Sequence, residues 1–198
     1  KKRIKFFRMY GSTEATSRMA YMPANLNKKH PESIGFAIPG GKLWLQDKKK
    51  KKITSTNTVG EIVYKGSNVC LGYANSKKDL KRGDENKGIL LTGDLGTIGQ
   101  NKLISIIGRK KRFLKVFGLR VNLDELETIL NNLGYKCLCS GVDNKIKIYF
   151  LKKFKKDTSD VVEKISNITK INKSVFKIEF IDKFPRNQYG KILYNKLN

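Results

Sequence analysis

Gly108-Arg109-Lys110-Lys111-Arg112-Phe113-Leu114-Lys115-Val116-Phe117-Gly118 sets five basic residues between two glycines, and the chain changes character across it. Upstream, short apolar runs read as strands at Lys42–Leu45, Glu61–Tyr64, Ile89–Leu91 and Leu103–Ile107. Turn signals separate them at Pro39-Gly40-Gly41, Gly66-Ser67-Asn68 and Gly99-Gln100-Asn101, the pattern of a small barrel or sandwich. Arg3–Tyr10 reads as a further strand that runs straight into Gly11-Ser12-Thr13-Glu14.

Downstream the period lengthens. Arg112–Phe117 reads as one arm of a hairpin turning at Gly118, after which Asn122 caps a helix with Glu125 in a capping-box position. Leu123, Leu126, Leu130 and Leu133 form its apolar face, and Gly134 ends it. Two strands follow, Cys137–Val142 and Lys145–Leu151, joined at Asp143-Asn144. In the second, Ile146, Ile148 and Phe150 alternate with Lys145, Lys147 and Tyr149, as a sheet with one wet face requires. Val161, Ile165 and Ile168 mark a second helix, and Phe176, Ile178 and Phe180 a third strand. The expectation is an α+β chain: a small β-rich, barrel-like subdomain over residues 1–108, then a compact α+β domain over 109–198 with a three-stranded sheet and helices.

Composition narrows the function. The net charge is +25, from 42 basic and 17 acidic side chains, a field that attracts polyanions whatever the fold. The lysines are spread along the chain, which reads as a solvated basic surface, and no dedicated nucleic-acid partner is expected. Lys48–Lys52 reads as an exposed loop tip. The three cysteines, Cys70, Cys137 and Cys139, make no disulfide framework. His30 is the only histidine, which excludes a His-rich zinc site and leaves one residue on which a Ser-His triad could be built. No run approaches the ~20 apolar residues of a membrane span, and Lys1–Tyr10 lacks the apolar region of a signal peptide. A cytoplasmic location is the expectation.

Four segments carry candidate chemistry. In Tyr10-Gly11-Ser12-Thr13-Glu14, backbone amides at the glycine turn and Thr13 suit phosphate oxygens, and Glu14 suits Mg²⁺; an ordinary strand-to-turn junction looks the same. Thr92-Gly93-Asp94 places a carboxylate on a glycine turn at the end of an apolar strand. There it could accept from the two hydroxyls of a ribose or simply form the turn. The basic stretch from Gly108 offers Arg109 to a nucleotide beside a bendable junction; a basic hairpin or a nucleic-acid phosphate patch fits equally. Pro185-Arg186-Asn187-Gln188-Tyr189-Gly190-Lys191 ends a loop on a lysine that could stabilise developing negative charge.

In this order and spacing the four segments resemble the acyl-adenylate-forming superfamily of acyl- and aryl-CoA ligases, carrier-protein adenylation domains and luciferases. Gly60-Glu61-Ile62-Val63-Tyr64-Lys65-Gly66 with Leu71-Gly72-Tyr73, and the stretch Pro31 to Gly40, match further family segments. The resemblance implies the C-terminal part of an AMP-forming acid:thiol ligase that uses ATP and Mg²⁺ and passes an acyl group to coenzyme A or a carrier-protein thiol. It puts Tyr10 against adenine, Gly11 and Thr13 at phosphate, Glu14 on Mg²⁺, and Asp94 and Arg109 on the ribose. Lys111 falls at the hinge about which the C-terminal domain turns. Gly118 lies in the loop brought in for thioester formation, and Lys191 is the adenylation lysine. Tyr189 stands where the family usually carries a small residue. The family's phosphate loop and most of its acid pocket lie upstream of Tyr10. A catalytically incomplete portion of such an enzyme is therefore one alternative, and a polyanion-binding protein another.

Overall fold

The structure is a computed structural model that describes residues 4–197, with 155–157 described for the backbone alone. It divides into two compact units, Lys1–Lys110 and Lys111–Asn198.

The first unit is built from two antiparallel sheets. β1 (Arg8–Tyr10), β2 (Ala20–Met22) and β3 (Phe36–Ala37) form one, in that order. β4 (Lys42–Gln46), β5 (Lys52–Ile53), β6 (Gly60–Lys65), β7 (Ile89–Ile98) and β8 (Ile104–Arg109) form the other, in the order β5-β4-β6-β7-β8. A bridge between Ser33 and Ser105 joins the segment before β3 to β8. Leu45, Ile62, Ile34, Ile53 and Ile104 pack between the sheets with Tyr10, Leu43 and Ile98. Each fully buried Leu or Ile there contributes about 1.5–3 kcal/mol.

Two expectations need correction. Arg3 lies outside the described residues, and the strand expected from it begins only at Arg8, because β2 supplies partners for Arg8, Met9 and Tyr10 alone. Phe6 and Phe7 are left exposed ahead of it. The apolar run Ile89–Leu91 does not end at Thr92: β7 continues to Ile98, since β6 and β8 flank it on both sides. Thr92, Gly93 and Asp94 form a bulge within it, with Gly93 at φ +72°. Such a bulge re-aims a side chain without ending the strand.

In the second unit, β9 (Phe113–Val116) and β10 (Leu119–Asn122) pair antiparallel across a two-residue turn. Phe117 and Gly118 both have positive φ, at 47° and 85°, as the tight hairpin turn whose twist matches its strands demands. Phe117 is held there by its N–H, which donates to Asn144 Oδ1 at 2.7 Å. α1 (Leu123–Asn132) starts where Asn122 Oδ1 accepts from the Asp124 N–H at 3.0 Å. Leu126 and Leu130 of that helix are buried, whereas Leu133 sits past its end and is exposed.

β11 (Leu138–Val142), β12 (Lys145–Leu151) and β13 (Phe176–Ile181) form the sheet, β11 antiparallel and β13 parallel to β12. α2 (Val161–Thr169) lies between the parallel strands in sequence and shares the core of Ile146, Ile148 and Phe150 with α1. The opposite face is not simply wet. Tyr149 and Leu138 are buried there by the chain's last segment, through Phe184, Ile192, Tyr194 and Leu197. Alternation along one strand could not show this, because the covering residues lie more than thirty positions away in sequence.

Candidate functional site

The double bulge of β7 decides where Asp94 points. On one side three residues of β7 oppose Ile62, and on the other the pairing with β8 slips between Leu95 and Gly96. Thr92 Oγ1 donates to the Ile62 carbonyl at 2.8 Å and accepts from the Asp94 N–H at 3.1 Å, fixing the bulge. Asp94 is buried, yet both its oxygens are engaged. Tyr10 donates its hydroxyl to Oδ2 at 2.7 Å, and Arg109 Nε pairs with Oδ1 at 2.8 Å. Arg109 also reaches the Thr92 carbonyl at 3.2 Å. Burial, reinforced by the Asp94 carboxylate, pushes the Tyr10 phenol well above its ordinary range, so it stays a donor. Three residues taken from three separate motifs therefore meet at one carboxylate.

Tyr10 runs directly into the second part of the site. A Cβ on Gly11 would come within 1.9 Å of the Ser17 carbonyl oxygen, so only glycine lets the chain fold back so tightly. Ser12 begins the short turn Thr13–Ala15, and its Oγ is buried with no hydrogen-bond partner among the described residues. Thr13 is exposed and Glu14 half-buried. The Cys70 N–H donates to the Glu14 carbonyl at 2.7 Å, and the Tyr73 hydroxyl donates to the Glu14 carboxylate. That phenol holds the Glu14 carboxyl below the usual glutamate range, with backbone N–H donation adding to it. Tyr73 makes this contact from 59 positions away, beyond any local sequence pattern. No cluster of three or more metal-ligating side chains occurs among the described residues. Glu14 stands there as a single ionised carboxylate.

The family profile for AMP-binding enzyme matches residues 1–74. An acyl-CoA synthetase from Alternaria alternata is 30% identical over 96% of this chain and 35% of its own length. A luciferin 4-monooxygenase from Luciola mingrelica is 34% identical over 61% of this chain and 22% of its own. The solved O-succinylbenzoate coenzyme A synthetase of Bacillus subtilis, in complex with ATP and magnesium ion, shares the fold with a TM-score of 0.69. It is 20% identical, over 96% of this chain and 41% of that one. Residues 1–74 carry the AMP-binding enzyme profile, and the chain as a whole resembles members of the acyl-adenylate-forming superfamily. It spans about a third of the length of the curated relatives that it matches nearly end to end.

The remaining sequence-predicted residues fall in or at the edge of the second unit. Lys111 opens that unit, exposed on the single turn Lys110–Arg112. Gly118 completes the hairpin turn described above. Lys191 closes a tight loop: Asn187 Oδ1 accepts from the N–H groups of Tyr189 and Lys191, at 3.0 and 2.9 Å. The Asn187 N–H in turn donates to the Lys191 carbonyl at 2.9 Å. Gly190 takes the positive φ, +81°, that this turn needs. Tyr189 points into solvent, 84% exposed, so its bulk does not disturb the loop. The Lys191 side chain is exposed and has no ion-pair partner among the described residues.

Arg112 is the residue the sequence hid. It looks like one more member of a basic run, yet it is buried and pairs with Asp124 and Glu127, each at 2.6 Å. The only sequence signal is its distance from three later positions, Asp124, Glu127 and Tyr194, and no single motif contains them all.

Proposed function

We propose that this chain is part of an ATP-dependent acid:thiol ligase. In the first step a substrate carboxylate oxygen bonds to the α-phosphorus of ATP and pyrophosphate leaves, giving acyl-AMP. In the second, a thiol sulfur of coenzyme A or of a carrier protein bonds to the acyl carbon and AMP leaves, with the thiol proton passing to solvent.

One observation carries the reading. Asp94 is buried, oriented by Tyr10 and flanked by the exposed Arg109, an arrangement suited to the two hydroxyls of a ribose. In this reading Tyr10 lies against adenine, Asp94 and Arg109 hold the ribose, and Gly11 and Thr13 lie at the phosphates. The buried Ser12 hydroxyl beside the ionised Glu14 suits the phosphates and Mg²⁺, which when bound offsets phosphate charge. Lys191, with no ion-pair partner among the described residues, would bridge the acyl carboxylate and the α-phosphate as charge develops. Lys111 would act as the hinge for a mobile second unit, and Gly118 would reach the thiol substrate. The three free cysteines suit a reducing, cytoplasmic compartment.

The chain spans about a third of its relatives, which favours a portion of such an enzyme over a self-sufficient one. Turnover is assigned to an enzyme that contains this sequence together with the rest of the relatives' length. Isothermal titration with ATP and Mg²⁺ tests what this chain holds by itself. The expected outcome is a Kd of about 100 μM or tighter (~−5.5 kcal/mol) that weakens on Asp94→Ala. Binding that ignores Asp94 and falls steeply with salt would instead mark a polyanion-binding surface driven by the +25 charge.

A further inference from the structure

The buried ion pairs of Arg112 do more than close a core. Its guanidinium meets Asp124 Oδ1 through Nε, the Cys139 carbonyl through Nη1 at 2.7 Å, and Glu127 Oε1 through Nη2. Its Cζ lies over the ring of Tyr194, 3.8 Å from the ring centroid. Glu127 completes the circuit: Oε1 also accepts from the Cys139 N–H at 2.7 Å, and Oε2 accepts from the Tyr194 hydroxyl at 2.9 Å. Tyr194 is thus held by stacking above and by a charge-assisted hydrogen bond at its tip.

Tyr194 lies three positions after Lys191. Between them the Leu193 N–H donates to the Pro185 carbonyl at 2.9 Å, closing the base of the lysine loop. Arg186 and Ile192 form a bridge on the same base. Among the described residues the loop's hydrogen bonds stay within Pro185–Leu193, so its placement on the unit depends on the residues that flank it. Phe184 and Ile192 pack on Tyr149, Leu138 and Leu197, and Tyr194 adds an anchor to two charged groups, Arg112 and Glu127.

We propose that Arg112, acting through Tyr194, is a positioning residue for the lysine loop, so that the residue following Lys111 sets where Lys191 is held. The assignment rests on the reading of Lys191 as the adenylation lysine for its functional consequence, but not for its structural one. A lysine on a loop that is loose by an ångström loses much of its value to a transition state, so a rigid link from the start of the unit to the loop has a direct use.

Hydrogen exchange on this chain tests the link without any activity. In Tyr194→Leu, which removes both stack and hydroxyl, exchange at the Gly190, Lys191 and Leu193 amides should rise about tenfold as the loop opens more often. Tyr194→Phe keeps the stack and should fall between that variant and the wild type. Amides of β12 report whether the unit still folds and should not change. Unchanged loop exchange with intact β12 protection would overturn the proposal. If β12 protection also falls in Tyr194→Leu, the decision passes to Tyr194→Phe, where unchanged loop exchange overturns it. A second arm uses a complete enzyme carrying this sequence. There Tyr194→Leu should slow acyl-AMP formation and spare transfer from preformed acyl-AMP. A loosened loop with equal losses in both half-reactions would leave the link standing and count against the role given to Lys191.

Discussion

Tyr10 donates its phenolic hydrogen to Asp94 across 2.7 Å, tying the end of β1 to the bulge of β7 over a separation of 84 residues. The same carboxylate holds Arg109 at 2.8 Å. Asp94→Ala would leave the Tyr10 hydroxyl and the Arg109 guanidinium without their acceptor. The expected cost is ~1–3 kcal/mol of stability, read by urea denaturation, with nucleotide affinity falling about tenfold or more. A variant as stable and as retentive of nucleotide as the wild type would remove Asp94 from the site.

Tyr10 and Tyr194 both hold their protons more tightly in the folded chain than in the unfolded one, chiefly through burial and then through Asp94 and Glu127. Above the ordinary phenol value near 10.0 the unfolded chain releases these protons and the folded chain keeps them. Their stabilisation is therefore fully present below that value and is lost as pH rises above it. Urea midpoints measured from neutral to strongly alkaline pH should fall across this range, and Tyr10→Phe or Tyr194→Phe should each flatten the fall. An unchanged alkaline slope in both variants would contradict the assignment.

For Glu14 the sign is opposite. Tyr73 holds its carboxyl below the ordinary glutamate value of 4.5, so its contribution is present above that value and is lost as pH falls. Carboxyl NMR should find the Glu14 midpoint low in the wild type and moved upward in Tyr73→Phe. No movement would mean that the phenol is not its partner in solution.

Two glycines of the site separate steric need from backbone conformation. A methyl on Gly11 would lie 1.9 Å from the Ser17 carbonyl oxygen, and Gly11→Ala should cost about 3 kcal/mol as the turn is forced apart. Gly93 has φ +72° but open space around it, so Gly93→Ala should cost only the ~1–2 kcal/mol of a left-handed backbone. Denaturation midpoints that reverse this order would contradict the geometry of the Tyr10–Glu14 turn.

Local chemistry was readable from the chain itself. The alternation of Ile146, Ile148 and Phe150, the cap at Asn122 and the turn at Gly118 all stand as their residues predict. Tyr10 ends β1, as the glycine after it suggests, whereas Asp94 sits on a bulge inside β7 and not at the strand end that its sequence suggested. What escaped was set by distant partners. β1 is short because β2 is short, and β7 runs through Thr92-Gly93-Asp94 because two neighbours extend beside it. Tyr149 is buried because a segment some forty residues later covers it. Arg112 belongs to this class most clearly: a basic residue among basic residues, its burial is decided by Asp124, Glu127 and Tyr194 together.

The half-reactions of Lys191→Ala, in a complete enzyme containing this sequence, test the account at its centre. Acyl-AMP formation, followed by pyrophosphate release, should fall by on the order of 10²–10³, while transfer from preformed acyl-AMP to the thiol should proceed at nearly the wild-type rate. Equal loss of both half-reactions, or full retention of the first, would contradict the placement of the adenylation lysine at the end of this loop.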